Sequence, residues 1–191
     1  MSPATEADLA TMSAQLGRPV RDVVGVAART LDGTPAVVST APRLADGTPF
    51  PTFYYLTHPT LVAAISRLEG EGVMREWTAL VEPDGPFAEQ YAAAHAAYLA
   101  DRAAAGDVPE IAGVSAGGMP DRVKCLHVLA GQSLAQGRGV NPLGDEVLDL
   151  LGDWWASGPC VTPTPVVEPT PTAGPTPVVE PVETPAPGAE R

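Results

Sequence analysis

Val23-Val24-Gly25-Val26-Ala27-Ala28, the turn Asp32-Gly33 and Ala36-Val37-Val38-Ser39-Thr40 decide the fold class. β-branched residues crowd both runs, and an Asp-Gly pair between such runs marks a hairpin, with Pro35 limiting how early the second can begin. The pattern predicts strands over 23–28 and 36–40. A third strand is expected over 53–57, after a connection carrying Pro42, Asp46-Gly47, Pro49 and Pro51. Tyr54 and Tyr55 then point to opposite faces of the sheet, one into the core and one out. The remaining periodic segments read as helix. The expected class is α+β: a small antiparallel sheet of about three strands packed with five to six helices.

Working outward, residues 2–16 predict an amphipathic helix. Ser2 is its cap, Pro3 suits its first turn, Leu9, Met12 and Leu16 share one face, and Gly17 ends it. Beyond the sheet, Thr57 or His58 caps a helix with Pro59 in first position and a stripe of Leu61, Val62, Ile65 and Leu68. A short helix is expected over 73–81. After Pro83-Asp84-Gly85-Pro86, an alanine-rich helix over 87–105 presents Phe87, Tyr91, Ala94 or His95, Tyr98 and Arg102. Another is expected to start after Gly117-Gly118 and run to Gly137. A last one spans about 143–155, with Val147, Leu150, Leu151 and Trp154 inward.

The chain has 191 residues and a net charge of -12. That charge disfavours delocalised binding to nucleic acid or anionic lipid, so neither nucleic acid nor membrane is an expected partner. Two cysteines, Cys125 and Cys160, make no disulfide framework, and no stretch is apolar enough to span a bilayer, which reads as a cytoplasmic protein. From Val161 onward the composition changes: nine of the 22 prolines lie there, and Pro-Thr-Pro-Val-Val-Glu-Pro occurs at 163–169 and again at 175–181. The organisation read from this is an N-terminal helix (1–19), an α+β domain (20–158) and a disordered Pro/Thr/Val/Glu tail (159–191). The tail reads as a solubilising spacer or as a ligand for a proline-recognising partner.

The densest polar stretch is Val114-Ser-Ala-Gly-Gly-Met-Pro-Asp-Arg-Val-Lys-Cys-Leu-His127, which holds the single lysine of the chain. A helix opening after Gly117-Gly118 would offer unpaired N–H groups and a positive dipole end to an anion. Arg122, Lys124 and His127 would add charge, with Arg43 and Asn141 nearby. No Gly-Lys-Ser/Thr follows the glycines, so this is not a nucleotide P-loop. The plainer alternative is a tight turn with ordinary surface charges. Cys125 and His127, two apart on a helix, would lie about 200° apart and could not hold one ion, so no metal and no cofactor are expected. Cys125 near a helix start is a candidate nucleophile, although a buried inert thiol is commoner.

Pro42-Arg43-Leu44 through Asp46-Gly-Thr-Pro-Phe-Pro-Thr52 to Tyr54-Tyr-Leu-Thr57, the stretch 115–127, and Gly139-Val-Asn-Pro-Leu-Gly-Asp-Glu146 together resemble the signatures of a bacterial family, domain of unknown function 501. The resemblance covers roughly residues 20–156. It implies an actinobacterial type of protein whose gene neighbours resemble a septum-formation initiator and an exopolyphosphatase. Family members often carry cysteine near the position of Thr30 and histidine near that of Gln132, and this chain departs at both. Three functions are carried forward: binding of a phosphorylated small molecule, polyphosphate or other anion; a non-catalytic interaction with a division-related protein; and thiol-dependent catalysis at Cys125.

Overall fold

A computed structural model describes residues 1–157, and the Pro-rich tail and Cys160 lie outside the described residues. Three strands, β1 (Val23–Arg29), β2 (Pro35–Thr40) and β3 (Tyr54–Leu56), form one antiparallel sheet in the order β1-β2-β3. Val26 pairs with Val38, and Val38 with Tyr55. Six α-helices accompany them among the described residues: α1 (Glu6–Leu16), α2 (Pro59–Gly70), α3 (Val73–Val81), α4 (Ala88–Ala105), α5 (Leu126–Gln136) and α6 (Pro142–Leu151). The α+β expectation therefore holds.

The helices sit on both faces of the sheet. All six residues of β2 are buried, as a central strand covered on both sides requires. Val38 and Val26 meet Met12 of α1 on one face. On the other, Val37, Tyr54 and Leu56 join the main core with Leu61, Ile65, Tyr91, Tyr98, Leu129 and Leu143 from α2, α4, α5 and α6. Tyr54 is buried in that core and Tyr55 half-buried on the α1 side, the division that alternation along a strand imposes.

Local chemistry explains most boundaries. His58 precedes Pro59 at the start of α2, and Gly17, with φ 64°, ends α1. Along α4 the buried stripe uses Ala94, while His95 is only half-buried. Two expectations need correcting. The first helix begins at Glu6, because Ser2 is drawn into two backbone hydrogen bonds with Val26 (3.0 and 2.8 Å). Thr5 caps α1 instead, with Asp8 closing a reciprocal capping box. The last helix stops at Leu151, where Gly152 takes φ 56°, and Trp154 reaches the core from a following 3-10 turn, its ring 5.1 Å from that of His58. No described helix is long and apolar enough to cross a membrane.

Candidate functional site

The central polar stretch is a loop, and this overturns the expected helix start at Gly117-Gly118. Gly117 and Gly118 take φ 73° and 95°, and the Met119–Pro120 bond is cis. Arg122 N–H donates to Gly118 O (3.1 Å) and Lys124 N–H to Gly117 O (2.7 Å), closing the loop on itself. A Cβ on Gly118 would sit 2.6 Å from Arg122 O, so the glycine serves close backbone packing. Val123 is buried between exposed Arg122 and Lys124, and α5 begins at Leu126. Lys124 is therefore in no helix, and it does not stand on one helix with His127 as the expected helix over Gly117-Gly118 to Gly137 would have it.

The core pins this loop from three sides. Arg102, buried on α4, donates to the carbonyls of Pro51, Ile111 and Val114. Tyr91 Oη donates to Arg122 O (3.1 Å), and Val123 N–H to Thr78 Oγ1 (3.2 Å). Buried Ser115 lies 2.9 Å from His95 Nδ1 and also faces the carbonyls of Ala116 and Met119.

Of the other expected site residues, only Asn141 touches the loop, its Nδ2 lying 3.5 Å from Met119 Sδ. Arg43 is exposed and committed to Glu110 (2.6 Å) and to Gly47 O (2.8 Å). Asn141 is fully buried: its Oδ1 accepts Gly144 N–H at the start of α6, and its Nδ2 donates to Gln132 Oε1 (2.8 Å). That contact begins a polar chain through the core. Gln132 donates to Gln136 Oε1 (2.8 Å), and Gln136 to Asp101 (2.6 Å), which also accepts the Tyr54 hydroxyl. Asn141 is thus a structural residue, as are Gly117 and Gly118.

His127 is where donors do converge. Its Nδ1 lies 3.1 Å from Glu69 Oε1 and 3.8 Å from Cys125 Sγ, and its Nε2 is 3.2 Å from Val62 O and 3.3 Å from Ser66 Oγ. The hydrogen bond to the Cys125 sulfur and the negative charge of Glu69 outweigh desolvation and raise the imidazole to about 9. Glu69, near the end of α2, also accepts Leu126 N–H (2.7 Å). It is the carboxylate that meets the first turn of α5, so the anion at this helix end belongs to the protein itself. The sequence reading missed Glu69, since nothing in its local sequence sets it apart from neighbouring Glu71. The argument against a Cys125–His127 pair also fails, because Cys125 is the N-cap residue with extended geometry (φ -153°, ψ 109°) and lies outside the helix. A thiol–imidazole–carboxylate relay is not assembled either: sulfur and carboxylate meet the same ring nitrogen, whereas a relay needs one on each.

Two clefts adjoin at Tyr55. One, of about 320 Å³, has Cys125 and His127 on its wall with Thr52, Leu56, Val62 and Val128. The other, of about 240 Å³, lies beside α1 and is apolar at Leu16, Val20, Val38, Leu44 and Phe50. Its polar groups are Thr40, Asp22, Arg18 and Arg21. Asp22 accepts Ala45 N–H (2.8 Å). The guanidinium groups of Arg18 and Arg21 make no described hydrogen bond or salt bridge, although the chain is strongly acidic. Neither arginine stands out in the sequence, where both fall in the short connection between the first helix and the first strand.

Comparison with known proteins finds no match among curated proteins or solved structures. One family model covers residues 26–149, most of the described domain and all three signature stretches, the last as far as Glu146. The chain belongs to the family described as Protein of unknown function (DUF501).

Proposed function

We propose that the protein binds a small ligand with an anionic head and an apolar body in the cleft beside α1. The observation behind this reading is that Arg18 and Arg21, neither in a described salt bridge although Arg21 lies near enough to Asp46 to help lower its carboxyl, line one 240 Å³ cavity whose other walls are mainly apolar. Arg29, Arg43 and Arg138 each have a carboxylate partner, whereas Arg67, Arg75 and Arg122 share with Arg18 and Arg21 the lack of a described ion pair, so the support comes from the two arginines lining one cavity. Arginine's planar fork suits phosphate or carboxylate oxygens, and Tyr55 and Phe50 offer rings to the apolar part. At about 240 Å³ the cavity is smaller than the roughly 300–1,000 Å³ of usual ligand pockets, which suits an aryl phosphate better than a nucleotide. This proposal keeps the anionic ligand expected from the sequence and assigns it to other residues, those of the α1–β1 connection.

Phenyl phosphate is a suitable probe, titrated at matched ionic strength and followed by thermal shift. At about 100 times its dissociation constant it should stabilise the domain by about 2.7 kcal/mol. The shift should vanish in Arg18→Ala/Arg21→Ala and persist in Lys124→Ala. Loss in Lys124→Ala with retention in the double variant would return the site to the central loop. No shift in any protein would end the anion reading.

A further inference from the structure

The Glu69–Cys125–His127 cluster is the part of the molecule that anion binding leaves unused. Glu69 Oε1, Cys125 Sγ and His127 Nδ1 all lie within 4.8 Å of one another, and all three residues are half-buried. They come from separate places in the chain: the end of α2, the N-cap of α5 and its second residue.

Two of the three separations are close to what a tetrahedral ion imposes, and the third, between Glu69 and Cys125, is within 4.8 Å. Zinc-type bonds of about 2.3 Å to sulfur and 2.0 Å to nitrogen or oxygen set S···N near ~3.5 Å and N···O near ~3.3 Å. The corresponding separations are 3.8 and 3.1 Å. A second, independent feature is the orientation of the ring. His127 Nε2 faces Val62 O at 3.2 Å, and a carbonyl only accepts, so Nε2–H points there and Nδ1 is the nitrogen aimed at the cluster, its own proton being released when an ion binds. A metal-binding imidazole is typically held this way, its far N–H fixed on a carbonyl or carboxylate. Leu126 N–H fixes Glu69 similarly, at 2.7 Å.

We infer that Glu69, Cys125 and His127 form a binding site for a divalent transition-metal ion of the zinc class. The donor set decides the class: one thiolate, one imidazole and one carboxylate suit zinc or cobalt, whereas magnesium and calcium take oxygen ligands. Thiolate and carboxylate together carry the two negative charges that a dication balances. Three protein ligands leave a fourth position, and Cys125 and His127 both face the 320 Å³ cleft, so that position opens to a ligand or to water. The site is independent of the arginine cavity, although Tyr55 borders both.

Cobalt(II) is the probe, titrated into the full chain after treatment with chelator. One equivalent should give the intense visible bands of a tetrahedral ion and a near-ultraviolet thiolate-to-cobalt band, both displaced by zinc. Cys125→Ser should abolish the thiolate band, and Cys160→Ser should leave it unchanged. Glu69→Gln and His127→Asn should weaken binding by more than the roughly 10- to 100-fold that loss of an outer hydrogen-bond partner costs. Circular dichroism of each variant separates loss of a ligand from loss of fold, and an unfolded Glu69 variant leaves the His127 variant to decide. A weak octahedral spectrum in the wild-type chain, or a thiolate band that survives Cys125→Ser, would overturn the site. Neither result depends on phenyl phosphate binding.

Discussion

His127 carries an unusual charge state for a half-buried ring, and its pH dependence has a definite sign. Its folded value, near 9, lies above the ordinary 6.5. The stabilisation it contributes is therefore fully present below about 6.5 and is lost as pH rises through about 9. Titration of the ring followed by NMR should return that value, and Cys125→Ala should bring it back toward 6.5; an unmoved value would assign the shift to Glu69 alone. Asn141 offers the complementary case of a polar residue without titration. Asn141→Ala removes the cap of α6 and strands Gln132 Oε1 in the core, and should cost about 2–4 kcal/mol in urea denaturation. At this scale the sequence showed which residue types were present, and Asn141 as a cap was readable from Asn-Pro alone. The pairing of His127 with Glu69 spans 58 positions, and no spacing rule reaches that far.

Among the elements, α1 and the α5–α6 pair show how single contacts hold a layer in place. Asp8 closes the capping box of α1 and also takes both ends of the Arg29 guanidinium (2.6 and 2.9 Å), fastening the helix to β1. That hydrogen bonding holds its carboxyl well below the usual carboxylate range. Its contribution is present above the unfolded value of about 4 and is lost as pH falls toward the folded one. Asp8→Asn should cost about 1–2 kcal/mol at neutral pH and make the acid limb of the stability curve shallower. An equal loss at pH 2 and pH 7 would refute the ion pair. On the opposite face, a Cβ on Gly144 would overlap Leu129 O and Ser133 Oγ of α5. Gly144→Ala should therefore destabilise by about 1–3 kcal/mol despite its better helix propensity, and a stabilised variant would show that α6 can slide. The Thr5…Asp8 capping box is itself readable in sequence. Ser2-Pro3 competed with it, and the sheet decided by taking Ser2.

For the whole molecule, the described core residues run in sequence from Met12 to Trp154, and the Pro-rich segment follows them in the chain. Removing residues 161–191 should leave the melting temperature within about 2 °C, since a change of 1 kcal/mol moves a domain of this size by roughly 2–4 °C. A larger drop in calorimetry would mean that the segment packs on the domain.

Local chemistry was enough to determine the class of the fold. β-branched runs around Asp32-Gly33 make a hairpin, His58-Pro59 starts a helix, and apolar stripes of period 3.6 name the buried faces. These signals act over a few residues, which is why they are readable one segment at a time. The same reading mistook the central loop for a helix, because glycines precede helices and loops alike, whereas contacts with Arg102, Tyr91 and Thr78, beside the loop's own backbone hydrogen bonds, hold it as a loop. The tertiary structure alone decided where chemistry can occur. It moved the start of α5 to Leu126, released Cys125 from helical geometry and folded Glu69 back onto His127. The physical reason is one of range: backbone propensity is set by neighbours in sequence, and a set of converging side chains is set by packing between elements.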